Sequence, residues 1–305
     1  MRIVSLFPAA TEMVALLELA DQLVGISHEC DFPPSLKSLP QVTRCTIPAH
    51  ASSSEIDAAV RDKLAAGEPL YEIDAQLLQH LQPDLILTQS LCKVCAVDHS
   101  SIEQSLGNLS NSTKIITLQP KGLEAVLLDM ELIATATESQ HRGQLVLESL
   151  RARIQHVEQT VTKTPYRPRV VMLEWLDPLF SSGHWTPELI RMAGAHELIG
   201  REQLLSRTIT QEDIIAANPD LLIVACCGYT IERTLTDVES VRLLDQLAGT
   251  QAVKNAQIYL GDGNAYFNRP GPRLVDTLEM LAATFHPDLF NLPESHPQLT
   301  RLSDL

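Results

Sequence analysis

Leu81-Gln82-Pro83-Asp84-Leu85-Ile86-Leu87 recurs as Ala217-Asn218-Pro219-Asp220-Leu221-Leu222-Ile223, and this repeat decides the fold. Proline biases the residue before it away from the helical region, so each Pro-Asp pair ends a helix and launches a strand. The apolar runs that follow are short and continuous, as in parallel strands covered on both faces. Two further landmarks recur in the same order. Arg2-Ile3-Val4-Ser5-Leu6 matches Arg169-Val170-Val171-Met172-Leu173, and Lys114-Ile115-Ile116-Thr117-Leu118 matches Gln257-Ile258-Tyr259-Leu260. Strands alternating with helical stretches, such as Leu123 to Ile133, predict a doubly wound, Rossmann-like α/β lobe. Two sets of landmarks predict two lobes.

Between the sets, Glu138 to Lys163 carries Val146, Leu150, Ile154, Val157 and Val161 at helical spacings of three and four, with no proline. Thr164-Pro165-Tyr166-Arg167-Pro168 then breaks the pattern. The expected organisation is an N-terminal lobe over 1–137 and a connecting helix over 138–165. A C-terminal lobe follows over 166–290, and a loosely packed tail over 291–305. Ser52-Ser53-Ser54-Glu55 adds a helix start with a capping glutamate, opening an extra helix that ends at Gly67.

The chain has 305 residues, 45% of them hydrophobic, and a formal charge of −15. So acidic a surface repels phosphate backbones and anionic headgroups, which argues against nucleic acid and membrane surfaces as partners. It suits a cationic or neutral ligand. No apolar run approaches the roughly 18 residues that a membrane span requires, so direct membrane insertion is not expected. Met1-Arg2 runs straight into the first strand, with no apolar signal segment ahead of it, so the expected location is the cytoplasm. The alternative is a periplasmic protein whose signal segment has been removed.

Several stretches resemble the cobalamin- and siderophore-binding proteins of ABC importers. They are Ile3-Val4-Ser5-Leu6-Phe7-Pro8-Ala9-Ala10-Thr11-Glu12, Leu23-Val24-Gly25-Ile26-Ser27, Asp31-Phe32-Pro33-Pro34, Pro83-Asp84-Leu85-Ile86 and Asn268-Arg269-Pro270-Gly271-Pro272-Arg273-Leu274-Val275. The likeness covers nearly the whole chain. It implies the class III periplasmic-binding-protein architecture, two lobes on one helical backbone, and a small-molecule metal chelate as ligand, cobalamin being the closest named one. A cytosolic branch of that superfamily would not be expected to serve an ABC permease.

In a doubly wound sheet, ligands sit where loops leave the C-terminal ends of the strands. The unusual residues of this chain fall in those loops. Glu174-Trp175 and Gly183-His184-Trp185 bring both tryptophans of a chain that is only 4% aromatic into one region. Tyr229 follows Cys226-Cys227, and Tyr266, Phe267 and Arg269 lie in the last loop. Aromatic faces stack on flat ligands and attract cations, so Trp175, Trp185, Tyr266 and Phe267 are the expected walls of a corrinoid slot. Pro8 and Tyr229 are further candidates, and Glu174 and Arg269 are the expected polar grips. The bland alternatives are that the tryptophans buttress the long helix and that Arg269 pairs with Glu174 or Asp262.

Cys92-Lys93-Val94-Cys95 leaves the strand Leu85–Thr88, and His28 and Cys30 leave its expected neighbour. These four form a candidate Cys₃His set for zinc, or a site for an iron–sulfur cluster. Cys92 and Cys95 alone can also make a redox dithiol, or simply pack as small apolar side chains. Cys226 and Cys227 are adjacent on a strand, so their side chains point to opposite faces and do not share a metal. No nucleophile elbow, H-E-x-x-H motif, P-loop or dinucleotide fingerprint is present, so no enzymatic reaction is proposed by the residues.

Overall fold

The computed structural model describes residues 1–48, 51–90 and 113–305. The chain divides into two compact units, the first holding residues 1–51, 55–120 and 124–148, the second residues 52–54, 121–123 and 149–305.

The first unit is built on four parallel strands in the order β2 (Leu23–Ile26), β1 (Ile3–Ser5), β5 (Leu85–Gln89) and β6 (Lys114–Leu118). Ile3, Val4, Leu85, Ile86 and Leu87 are all at most 1% exposed, which is why these runs show no polar alternation. Helices α1 (Pro8–Leu16), α3 (Ala75–Leu81) and α4 (Leu123–Ala136) connect or follow the strands. A separate antiparallel pair, β3 (Thr43–Cys45) and β4 (Tyr71–Ile73), flanks helix α2 (Ser53–Ala66) in sequence.

The second unit repeats the parallel core. Strands β7 (Arg169–Leu176), β10 (Leu221–Val224) and β11 (Ile258–Leu260) lie side by side and parallel. The sheet is extended antiparallel by β8 (Leu179–Ser181) against β7 and by β12 (Thr300–Arg301) against β11, while β9 (His196–Glu197) adds a short parallel pairing. Helices α6 (Thr186–Met192), α7 (Gln211–Ala217), α8 (Ile231–Ser240) and α9 (Leu274–Phe285) fill the connections. Val171, Leu173, Leu222, Val224 and Leu260 close the core beneath them.

The two Pro-Asp landmarks are built by one device used twice. Gln82 and Asn218 take left-handed conformations (φ 43° and 44°) that end α3 and α7. The aspartate after each proline then accepts from the backbone amide that opens the neighbouring strand, Arg2 N to Asp84 Oδ2 at 2.7 Å and Arg169 N to Asp220 Oδ2 at 2.9 Å. The two arginines reach the open carbonyls at the helix ends, Arg2 Nε to Leu81 O at 2.8 Å and Arg169 guanidinium to Ala217 O at 2.6 Å.

The helical pattern over 138–163 forms α5 (Gln140–Val161), two residues shorter at each end. Its second half is fixed within the second unit by Arg153, whose guanidinium meets Asp276 at 2.5 Å and Glu279 at 2.5 Å on α9. His296 Nε2 joins the same glutamate at 2.7 Å.

Candidate functional site

At the C-terminal edge of the second sheet, β7 ends at Leu176, β10 at Val224 and β11 at Leu260. Glu174 and Trp175, expected in a loop, lie near the end of strand β7 itself, and the loops that leave this edge hold Trp185, Tyr229, Tyr266, Phe267 and Arg269.

Glu174 is a peg beneath this edge. It is 6% exposed, and its carboxylate accepts from Gly183 N at 3.1 Å and from the Ser206 hydroxyl. Gly183 is glycine because a Cβ there would lie 2.4 Å from Ser206 N and 2.8 Å from Leu204 O. One carboxylate thus holds two loop strands that touch backbone to backbone. Burial pushes its pKa up to about 7, against the opposing effect of these donors.

The aromatic candidates separate into two groups. Trp185 is 4% exposed and donates its indole N–H to Phe267 O at 2.8 Å, and Phe267 is 1% exposed. Both are committed to the interior of the unit, where large apolar rings contribute most. Trp175, Tyr229 and Tyr266 are only partly buried. The Trp175 and Tyr229 rings lie 5.0 Å apart at 47°, and the Arg233 guanidinium sits 5.0 Å from the Tyr229 centroid. Tyr266 carries Arg273 at 5.2 Å. These pairings make an aromatic, cation-backed edge.

The last loop is shaped by a π-helical turn, Gly263–Phe267, capped by Asp262 Oδ1 accepting from Ala265 N at 2.7 Å. Such turns are uncommon and concentrate at functional sites. Gly263 allows it to lie against the end of β10, where a Cβ would fall 1.9 Å from Cys226 O. Arg269 is 7% exposed and donates to Asn264 Oδ1 at 2.8 Å, and helix α9 starts only at Leu274. Asn268 Nδ2 donates to Cys227 Sγ at 2.9 Å. Cys226 is in the core, where burial pushes its thiol up to about 12, while Cys227 is exposed.

In the first unit, Pro8 opens α1 and is buried. Cys30 Sγ lies 3.0 Å from Thr11 Oγ1 on that helix. His28 Nδ1 meets Thr43 Oγ1 at 2.7 Å, and burial lowers the pKa of the ring. Cys92 and Cys95 lie outside the described residues. Among the described residues, the one grouping of three or more His, Cys, Asp or Glu ligand atoms is Asp276, Glu279 and His296, where Arg153 already supplies the cation.

Residue-level reading of the chain overlooks Ser53, Arg233 and Asp237. The i,i+4 pair Arg233–Asp237, 3.4 Å apart on α8 just after Tyr229, was the visible signal.

Parallel α/β units with an aromatic edge at the strand C-termini define a ligand-binding protein. The chain matches the periplasmic binding protein family over residues 3–265 and belongs to it. It is 23% identical to the vitamin B12-binding protein of Vibrio cholerae over 92% of this chain and 87% of that one. It is 21% identical to an uncharacterized ABC transporter substrate-binding lipoprotein, YvrC, of Bacillus subtilis, over 95% of this chain and 81% of that one. Among solved structures, a periplasmic heme-binding protein from Pseudomonas aeruginosa superposes with a TM-score of 0.73 at 20% identity, over 98% of this chain and 97% of that one. The fold is therefore that of the class III binding proteins, and the family is one of binding proteins rather than enzymes. None of these relatives is described as a zinc, iron–sulfur or thiol-redox protein.

The expectation of a cytoplasmic location is corrected by the same findings. The family is described as periplasmic, the Bacillus subtilis relative is a lipoprotein and the Pseudomonas aeruginosa structure is of a periplasmic protein, which points outside the cytoplasm. An N-terminus that runs directly into a strand was too weak a ground for the opposite conclusion. Among the described residues, no helix is long and apolar enough to cross a membrane.

Proposed function

We propose that this protein captures cobalamin or a related corrinoid and delivers it to an ABC permease. The observation that carries the proposal is the partly exposed Trp175–Tyr229 pair at the C-terminal edge of the second sheet, with Tyr266 on the adjoining loop. Aromatic faces at such an edge suit a flat macrocycle, and their backing by Arg233 and Arg273 adds positive charge for peripheral carboxylate or amide oxygens. The likeness to vitamin B12-binding proteins along nearly the whole chain supports the same ligand.

Isothermal titration with cyanocobalamin, and separately with haemin, tests this reading. Saturable 1:1 binding of cyanocobalamin is expected, and Trp175→Ala weakens it at least about tenfold, because stacking on one aromatic face contributes on the order of 1 kcal/mol beyond its buried area. Preference for haemin would reassign the macrocycle. Absence of heat and of any spectral shift with both would end the proposal.

A further inference from the structure

Residues 52–54 belong to the second unit, although the chain up to Ala51 and from Glu55 onward belongs to the first. Ser53 is the middle residue of these three. It is 4% exposed, and the two side chains its hydroxyl meets, Tyr229 and Asp237, lie on the aromatic edge or directly behind it. Its carbonyl accepts from Trp175 Nε1 at 3.3 Å, a proton that Trp175 shares with Asp177 O at 3.1 Å. Its hydroxyl donates to Asp237 Oδ2, and the Tyr229 hydroxyl lies 3.4 Å away on the other side. A serine hydroxyl has one proton. With that proton on Asp237, the contact from Tyr229 is a donation from the phenol to Ser53 Oγ. Asp237 is itself buried and meets Arg233 at 3.4 Å, the same guanidinium that lies over Tyr229.

We propose that Ser53 is a positioning residue for ligand recognition, orienting the Trp175 and Tyr229 rings through one hydrogen-bonded chain that ends on Asp237 and Arg233. The inference rests on the reading of that pair as the ligand-stacking surface. The physical case is that a single residue meets the polar edges of both rings, its backbone carbonyl the indole of Trp175 and its hydroxyl the phenol of Tyr229. Rotation of either ring breaks a bond to the same anchor, so their mutual tilt is fixed before ligand arrives. Preorganisation of this kind raises affinity by removing ordering cost from the binding step. The anchor is far away in sequence, 122 residues from Trp175 and 176 from Tyr229, so loop sequence near the rings does not encode it.

The test uses the full chain labelled with 5-fluorotryptophan, whose two tryptophans give two fluorine resonances. The resonance lost in Trp175→Phe belongs to Trp175. Ser53→Ala keeps the carbonyl that accepts from Trp175 but removes the hydroxyl that ties residue 53 to Asp237. It is expected to loosen that acceptor, shift or broaden the Trp175 resonance and leave that of Trp185 in place. It is also expected to weaken cyanocobalamin binding about fivefold, the worth of one neutral hydrogen bond. Ser53→Thr, which keeps the hydroxyl, restores both, and Asp237→Asn moves both in the direction of Ser53→Ala. A Trp175 resonance and affinity both unchanged in Ser53→Ala overturn the proposal, as does a change in one without the other. If wild-type protein binds neither cyanocobalamin nor haemin, the ligand reading falls, and the Trp175 resonance alone decides whether Ser53 sets the ring.

Discussion

The indole nitrogen of Trp185, at the start of α6, donates to the carbonyl of Phe267, the last residue of the π-helical turn, 2.8 Å away across 82 residues of sequence. The bond joins the first and last loops of the second unit's edge inside the protein. Trp185→Phe keeps most of the apolar volume and leaves that buried carbonyl without its donor. The expected loss is about 1–3 kcal/mol of unfolding free energy, read from urea denaturation. A variant as stable as wild type would show that the carbonyl finds another partner.

Gly263→Ala tests the close approach of the π-helical turn to β10. The new methyl would lie 1.9 Å from Cys226 O, which is backbone and has no rotamer in which to retreat. The turn must shift, with a loss of more than about 2 kcal/mol in stability and a weakened ligand complex if Tyr266 moves with it. Gly249→Ala, where a Cβ meets nothing within 4 Å, is the matching control and leaves the midpoint nearly unchanged.

Stability should depend on pH through two buried carboxyl groups. Burial raises Glu174 from 4.5 to about 7, and burial likewise raises Glu197 to about 7 although the amides of Gly200 and Ile199 donate to it at 2.9 and 3.0 Å. The unfolded chain ionises near 4.5 and the folded chain resists until about 7. The stabilising contribution is therefore full below pH 4.5, is lost progressively as pH rises to about 7, and changes no further above that. Melting temperature should fall by several degrees, on the order of 5 °C, between pH 5 and pH 7.5. Glu197→Gln should flatten that slope, and an unaltered slope would show that Glu197 does not titrate as described.

The adjacent thiols should differ sharply in reactivity. Cys226 is fully buried with its pKa pushed up to about 12, whereas Cys227 is exposed beside Asn268. Brief iodoacetamide treatment of native protein at pH 8, followed by peptide mass mapping, should find Cys227 modified and Cys226 intact, because only thiolate attacks. Equal labelling would mean that the end of β10 opens readily.

The aspartates of the repeated Pro-Asp landmarks should matter equally. Asp84→Ala and Asp220→Ala each remove an acceptor from the amide that begins the adjacent strand. A loss of about 1 kcal/mol is expected from each in denaturant titration. Losses differing by more than about 2 kcal/mol would mean that the two devices are not equivalent.

The doubled parallel core was legible in the chain because its signals are local. Pro83 and Pro219 punctuate, Leu85–Leu87 and Leu221–Ile223 are apolar throughout, and the residue before each proline, Gln82 or Asn218, takes the left-handed conformation. Burial on both faces of a sheet leaves no alternative pattern for such runs. The position of the loops at the strand C-termini follows from the same topology, so the region of the candidate site was legible too.

Tertiary packing alone decided which aromatic residues stay at the surface and which vanish beneath it. Trp175, on β7, remains partly exposed, while Trp185, at the start of α6, is 4% exposed and bonded to Phe267. The contacts that decide their burial come from 82 residues away for Trp185 and from 122 for Trp175. Local backbone preference sets strands and helix ends from a few neighbouring residues, whereas the burial of a loop side chain depends on which distant segment arrives to cover it.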